Sequence, residues 1–202
     1  VKRRKRLQKG TGKGKEVSER STGRNSKSAK KSPLRETVEW IVVIEIAVIF
    51  AVLINKFILV NAIIPSASME TTIMTGDRIF GNRLAYRDMG PKRGDIVIFK
   101  FPDDESQLFI KRVIGLPGET VELKDGVVYI DGRAIDEPYI KDTPTGDYGP
   151  VTVPGDSYFM LGDNRDHSAD SRFWTNTFVH RDKILGKAFV RYFPFDAISL
   201  IE

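Results

Sequence analysis

Three short segments of this chain place reactive side chains in patterns that differ from ordinary structural sequence. The first, Ile64-Pro65-Ser66-Ala67-Ser68-Met69-Glu70, offers two hydroxyls within a run of small residues. The second, Phe109 to Glu119, sets Lys111 and Arg112 in an apolar stretch that ends at Gly115-Leu116-Pro117-Gly118. The third, Gly162-Asp163-Asn164-Arg165-Asp166-His167-Ser168-Ala169-Asp170-Ser171-Arg172, is dense enough in acids and bases to imply a fixed ion-pair network. Hydrolysis of an amide needs an activated nucleophile, a base and a place for the oxyanion. The chain has no cysteine, which excludes thiolate nucleophiles, disulfide frameworks and thiolate zinc sites and leaves serine as the natural nucleophile. Only two histidines occur, His167 and His180, too few for a histidine-rich metal centre, and no metal or cofactor is expected.

The base could be His167, His180 or a lysine of depressed pKa. Strand alternation favours the lysine. If Leu108 to Ile114 is extended, Phe109, Lys111 and Val113 share one face. An ammonium between two apolar neighbours is poorly solvated, which lowers its pKa and frees the amine to accept a proton. Arg112 then points to the opposite face, a direction that suits support rather than chemistry.

The elements that must position these groups are mostly strands. Beyond Pro65 the hydrophobic pattern has a period of two with frequent turn signals, so an antiparallel β domain is expected, with little helix beyond a short turn near Asp182. Strand candidates are Asp95 to Phe101, Leu108 to Ile114, Thr120 to Leu123, Val127 to Ile130, Tyr158 to Leu161 and Ile184 to Phe193. Lys124-Asp125-Gly126 reads as a hairpin turn and Asp131-Gly132 as a second turn. The Pro-, Gly-, Asp- and Thr-rich stretch from Asp136 to Pro154 is expected to be an extended loop.

Before this domain, Ile41 to Val60 holds fifteen Ile, Val, Leu or Phe residues, broken by Glu45, Asn55 and Lys56. Their insertion into a bilayer gains about 5 to 9 kcal/mol, against about 3 kcal/mol lost at Glu45. Twenty helical residues reach about 30 Å, one hydrocarbon thickness. The rival readings are a secretory signal cut near Ser66-Ala67-Ser68 and an apolar helix buried in a soluble core. Residues 1–35 hold 14 Lys or Arg against 2 Asp or Glu, so the net charge of +5 belongs to this end and the remainder is acidic. That balance speaks against a nucleic-acid-binding domain and is expected to keep the amino terminus in the cytoplasm. The expected organisation is a disordered basic tail over 1–37, a transmembrane anchor over 38–60 and an extracytoplasmic β-rich domain over 61–202. Phe101 or Trp174 could dip into the lipid.

In this order, and after an amino-terminal anchor, the three segments resemble the conserved boxes of bacterial type I signal peptidase, a membrane-anchored serine–lysine protease. The similarity covers roughly residues 40–195. It implies a signal-peptidase-like, mainly antiparallel β catalytic domain that cleaves signal peptides from secreted preproteins after small-x-small sites. It also implies preprotein signal peptides and membrane lipid as partners, with no specific nucleic acid. By resemblance, Ser68 is the nucleophile and Lys111 the general base. The N–H of Ser68 and the hydroxyl of Ser66 would bind the oxyanion, and Ser168 would orient the Lys111 amine. Asp163, Asp170, Arg112 and Arg172 would brace the site through ion pairs. Ile64, Met69, Ile73, Ile79, Ile98 and Ile110 match the family's pocket walls, where aliphatic bulk rejects large side chains. One departure is visible: the family commonly has x-Pro-Thr-Leu after Ser-Met, whereas this chain reads Glu70-Thr71-Thr72-Ile73. A looser backbone past Ser68 is expected there. The other readings are a self-cleaving serine–lysine repressor, a Ser-His-Asp hydrolase using His167 or His180, and a non-enzymatic anchored β module.

Overall fold

The computed structural model describes residues 33–201. Its long helix α1 (Pro33–Phe57) starts with a proline, which the first helical turn tolerates, and carries Glu36 in the first turn and Lys56 in the last, both favourable to the helix dipole. Leu34–Phe57 has a mean hydropathy of 2.5, and residues 34–57 are all exposed. That excludes the buried core helix; length and composition suit a membrane span. The helix has other bounds than the 38–60 expected for the anchor, at both ends. An exposed ion pair between Arg35 and Glu39 at 3.2 Å lies within the helix ahead of the apolar run, and Leu59 and Val60 belong to the first strand, opposite Asn82 and Gly81. Residues 33–37 of the expected disordered tail are therefore helical, and the rest of that tail lies outside the described residues.

From Val43 onward the chain forms one unit that holds two antiparallel sheets. The strands are β1 (Leu59–Ile63), β2 (Arg78–Asn82), β3 (Ile96–Phe101), β4 (Asp104–Gly115), β5 (Thr120–Lys124), β6 (Val127–Ile130), β7 (Arg133–Ala134), β8 (Tyr148–Thr152), β9 (Ser157–Leu161), β10 (Val179–His180), β11 (Ile184–Phe193) and β12 (Ser199–Leu200). The larger sheet runs β1-β2-β11-β3-β4-β9-β10, with β12 also on β11, and the smaller runs β7-β6-β5-β8. Single 3₁₀ turns occur at Ala67–Met69, Arg165–His167, Arg181–Lys183 and Phe195–Ala197. The turn expected near Asp182 and the β5–β6 hairpin are both present, the latter with Asp125 and Gly126 at φ 50 and 79, as a tight mirror-image turn requires.

The stretch from Asp136 to Pro154 is not all loop. Tyr148 to Thr152 forms β8, paired with β5 through Val121↔Val151 and Thr120↔Thr152. Its Gly149 and Pro150 hide the strand pattern, and the fold tolerates them because β8 is the last strand of its sheet, where a missing N–H breaks no ladder. A Cβ on Gly149 would stand 2.7 Å from the Val121 carbonyl oxygen, so the position admits no side chain. Sequence patterning also passes over β1 and β2, each only five residues long, the first concealed at the end of the apolar run.

Three buried clusters hold this unit together. Val60, Ile64, Met69, Ile73, Ile79, Ile96, Ile98 and Ile110 form one, beneath β1, β2 and β3. A second, around Ile114, Val121, Leu123, Phe159 and Leu161, seals the smaller sheet against β4 and β9. In the third, Trp174 is 7% exposed among Phe99, Phe101 and Phe109, with Phe101 stacked on Phe109 at 4.3 Å. Trp174 is thus committed to packing, whereas Phe101 is half-buried and the neighbouring Phe173 is exposed. Phe159 is fully buried between the rings of Tyr148 and Phe178. Truncation by Phe159→Ala is expected to cost about 3–5 kcal/mol, read as a melting temperature lowered by roughly 6–20 °C in detergent.

Candidate active site

Ser68 sits in the middle of the Ala67–Met69 turn, closed by the Glu70 N–H on the Ala67 carbonyl at 3.1 Å and followed by the Ile73 N–H on the Met69 carbonyl at 2.9 Å. Met69 and Ile73 are fully buried, so the turn is pinned by its own apolar side chains. Lys111 lies on β4 opposite Val97 of β3, and both Ser68 and Lys111 are buried. Their side chains meet: Lys111 Nζ is 2.7 Å from Ser68 Oγ. The amine also donates to the Ile110 carbonyl at 3.0 Å and stands 5.5 Å from the centre of the Phe109 ring. Burial pushes this amine down to about 8, against the pull of the Asp170 and Asp163 carboxylates, which favour the charged form. A neutral amine at that distance can take the hydroxyl's proton. Neither histidine bonds Ser68: His180 is tied to Asp182 at 2.8 Å, and His167 Nδ1 lies 3.2 Å from Asn164 Oδ1.

The carboxylates near the amine are each held by an arginine. Asp163 takes two bonds from Arg112, at 2.9 and 2.8 Å, and a third from the Thr72 hydroxyl at 2.5 Å. Arg112 goes on to the Gly94 carbonyl at 2.7 Å and covers the Tyr139 ring at 3.9 Å. Asp170, wholly buried, takes two bonds from Arg172, at 2.8 and 2.9 Å, and one from the Gly162 N–H at 3.1 Å. Such paired geometry suits buried charge, because the fork of a guanidinium satisfies both carboxylate oxygens.

Around Ser68 and Lys111 opens a groove of about 620 Å³, lined by residues 61–66, Ile98, 107–111, His167 and Ala169. Of the aliphatic side chains expected to wall a pocket, Ile64, Ile98 and Ile110 do so. Met69, Ile73 and Ile79 are fully buried in the cluster behind it and do not line the groove. Ser66 is exposed beside Ser68, with 3.5 Å between the hydroxyl oxygens. Ser168 departs from expectation: its hydroxyl is buried with no hydrogen-bond partner and does not bond the Lys111 amine. It is wedged against Gly162, where an added Cβ would strike both Ser168 Oγ and the Ser68 carbonyl. Nor is the backbone past Ser68 loose where the family's proline is missing, since Thr72 bonds Asp163 and Glu70 takes the N–H and hydroxyl of Thr75.

Sequence reasoning passed over several members of this site. Arg165 is buried against Glu137, with bonds of 2.5 and 3.1 Å, and also donates to the Gly162 carbonyl at 3.1 Å. Tyr139 donates to the same Glu137 at 2.6 Å. The density of charge around Arg165 was a signal, but nothing local marks Glu137 as its partner. Asn164 donates its side-chain amide to the Ala67 carbonyl at 3.0 Å and its backbone N–H to the Ser68 carbonyl at 3.1 Å. Among the described residues no group of three His, Asp or Glu could hold a metal ion.

The Arg112–Asp163 pair, with side chains 4% and 1% exposed, makes a stability prediction. Arg112→Met or Asp163→Ala alone leaves a buried charge without a partner and should cost about 3–5 kcal/mol. The double variant should lose clearly less than the sum of the two, by thermal unfolding in detergent.

The chain is similar to known proteins over most of its length. The family model described as signal peptidase, peptidase S26, matches residues 37–193. The probable signal peptidase I-2 of Synechocystis sp. is 45% identical over 160 residues, 77% of this chain and 72% of that protein. The signal peptidase I of Leptolyngbya laminosa is 40% identical over 175 residues, 83% of this chain and 84% of that protein. That of Bacillus amyloliquefaciens is 38% identical over 182 residues, 85% of this chain and 95% of that protein. With the family's match spanning most of its length and both sheets, this chain belongs to the signal peptidases of the peptidase S26 family.

Proposed function

We propose that this chain is a membrane-anchored serine endopeptidase that removes signal peptides from secretory preproteins, with Ser68 as nucleophile and Lys111 as general base. The observation that supports it most is the 2.7 Å approach of a buried, partly deprotonated lysine amine to a serine hydroxyl on the floor of an apolar groove. Ser68 Oγ attacks the scissile carbonyl while its proton passes to Lys111 Nζ. The Ser68 N–H and the Ser66 hydroxyl take up the developing oxyanion. Collapse of the intermediate expels the amine of the mature chain, which receives its proton from the Lys111 ammonium. Water then hydrolyses the acyl-enzyme, giving a proton to the Lys111 amine, which passes it to Ser68 Oγ as the ester bond breaks and so restores both groups. During the two moments when Lys111 is charged, the nearby Asp170 and Asp163 carboxylates lower the energy of the ammonium. The two arginine pairs hold those carboxylates in place, and Ser168, packed on Gly162, keeps the loop against Ser68.

The groove also accounts for substrate choice. Ile64, Ile98 and Ile110 form walls that desolvate a methyl group and obstruct anything larger, which favours small-x-small sites. Helix α1 fits the anchor, with the basic residues before it holding the amino terminus in the cytoplasm and the β unit outside. Ser68 follows Phe57 by only eleven residues, close to the bilayer surface where a translocated signal peptide presents its cleavage site. Enzyme and substrate then share one membrane, which raises their effective concentration without any added contact. Signal peptides and lipid are the partners of this reading; specific nucleic-acid binding is not part of it.

Incubation of the purified full-length chain with one preprotein tests it by gel shift. Ser68→Ala and Lys111→Met are expected to lose about three orders of magnitude or more in turnover, while His167→Ala and His180→Ala remain active. Survival of cleavage in Ser68→Ala would dismiss the nucleophile. The amine also sets a pH dependence. Below about 8 it is protonated and cannot accept, so kcat/KM should rise with pH through that value and then level off. A profile that is flat between about pH 6 and 10 contradicts the lysine as base.

A further inference from the structure

The peptide unit that joins Ala67 to Ser68 has its carbonyl at one end and the Ser68 N–H at the other. A planar trans peptide turns as one body, so whatever grips the carbonyl also aims the N–H. Two donors grip it. One is local, the Glu70 N–H at 3.1 Å, and would exist in any such turn. The other comes from 97 residues away, the side-chain amide of Asn164 at 3.0 Å. The backbone of Asn164 adds a third hold on the turn, its N–H donating to the Ser68 carbonyl at 3.1 Å.

Asn164 is itself oriented. A backbone carbonyl only accepts, so the amide must turn its NH₂ toward Ala67, which leaves Oδ1 facing His167 Nδ1 at 3.2 Å. That oxygen only accepts, and His167 therefore donates from Nδ1. The residues on both sides of Asn164 are locked as well, Asp163 by Arg112 and Arg165 by Glu137, so the loop backbone cannot follow a wandering side chain. His167 is exposed on the groove wall beside Ser68 and Lys111, yet its polar contact is with Asn164 and not with either of them.

From this chain of contacts we infer that Asn164, oriented by His167, is a positioning residue that aims the Ser68 N–H at the oxyanion and polarises it. The inference rests on the reading of Ser68 as nucleophile and oxyanion donor. Donation to the carbonyl draws charge along the amide and strengthens the hydrogen bond that the N–H can make, a cooperative effect that adds to the fixed geometry. Neither side chain touches a reacting atom. Their work is done before substrate arrives, which is where a preorganised donor gains over one that must reorient.

The test uses the full-length chain in detergent with one preprotein, and a peptide aldehyde ending in alanine as probe of the oxyanion position. Asn164→Asp keeps the shape and removes the donor; Asn164→Ala removes both. In each, kcat is expected to fall roughly 10- to 100-fold with KM within about twofold, since an oxyanion donor acts on the transition state. Aldehyde affinity should weaken by a similar factor, because its hemiacetal oxygen occupies the same position, while the melting temperature stays near that of the parent. His167→Ala should lower kcat about three- to tenfold, and Asn164→Ala/His167→Ala should be no slower than Asn164→Ala, because one residue acts through the other. A kcat within about threefold of the parent in both Asn164 variants overturns the inference, as does a loss expressed mainly in KM or in melting temperature. Additive losses in the double variant overturn the part given to His167. If Ser68→Ala, run beside them, still cleaves, it is the underlying reading that fails.

Discussion

A lysine amine buried against a serine hydroxyl, inside a protein that keeps two carboxylates close by, is the constraint around which the rest of this structure is arranged. Desolvation and charge act in opposite directions on Lys111. Removal from water disfavours the ammonium, while Asp170 and Asp163 favour it, and the balance leaves the amine near 8. Burial is the larger of the two effects, and each carboxylate is itself held by a guanidinium in a two-bonded pair. The arginines thus hold the two carboxylates that face the amine.

Strand β4 is where these demands are reconciled. Neighbouring residues on a strand point to opposite sides, and β4 uses that alternation to send Lys111 toward Ser68 and the groove while Arg112 goes to Asp163 and the Tyr139 ring. Its neighbours in the sheet are the largely buried strands β3, opposite Lys111 itself, and β9, paired from Arg112 onward. The loop after β9 then carries Asp163, Asn164 and Arg165 in succession. Three adjacent side chains reach three different partners, Arg112, the Ala67 carbonyl and Glu137. Through them the smaller sheet's connecting segment, the central strand and the serine turn are tied at one place.

Much of the scaffold was legible in residue pattern. The late strand Ile184–Phe193, the hairpin at Asp125-Gly126 and the short turn at Asp182 all appear where local preference places them, because their signals are alternation and turn chemistry, both local. The strand at Tyr148 was hidden by a Gly-Pro pair that is permitted only at a sheet edge, and edge position is decided by the assembled sheet. The end of the helix was misplaced for a related reason: Leu59 and Val60 are as apolar as the residues before them, and what makes them strand is the ladder with Gly81 and Asn82. Among the isoleucines matched to a pocket, Ile64, Ile98 and Ile110 line the groove while Ile73 and Ile79 lie behind it, a distinction that hydrophobicity does not encode.

The absence of cysteine, the apolar run, the basic approach to it and the order of three polar segments are one-dimensional properties, and from them the reaction class, the anchor and the candidate serine and lysine could be read. The meeting of two side chains 43 residues apart at 2.7 Å is not such a property. Nor are the pairing of Arg112 with Asp163, the choice of Glu137 for Arg165, or the solitary hydroxyl of Ser168. Distance and dehydration arise only when strands far apart in the chain are laid side by side, and an amine's readiness to take a proton depends on both.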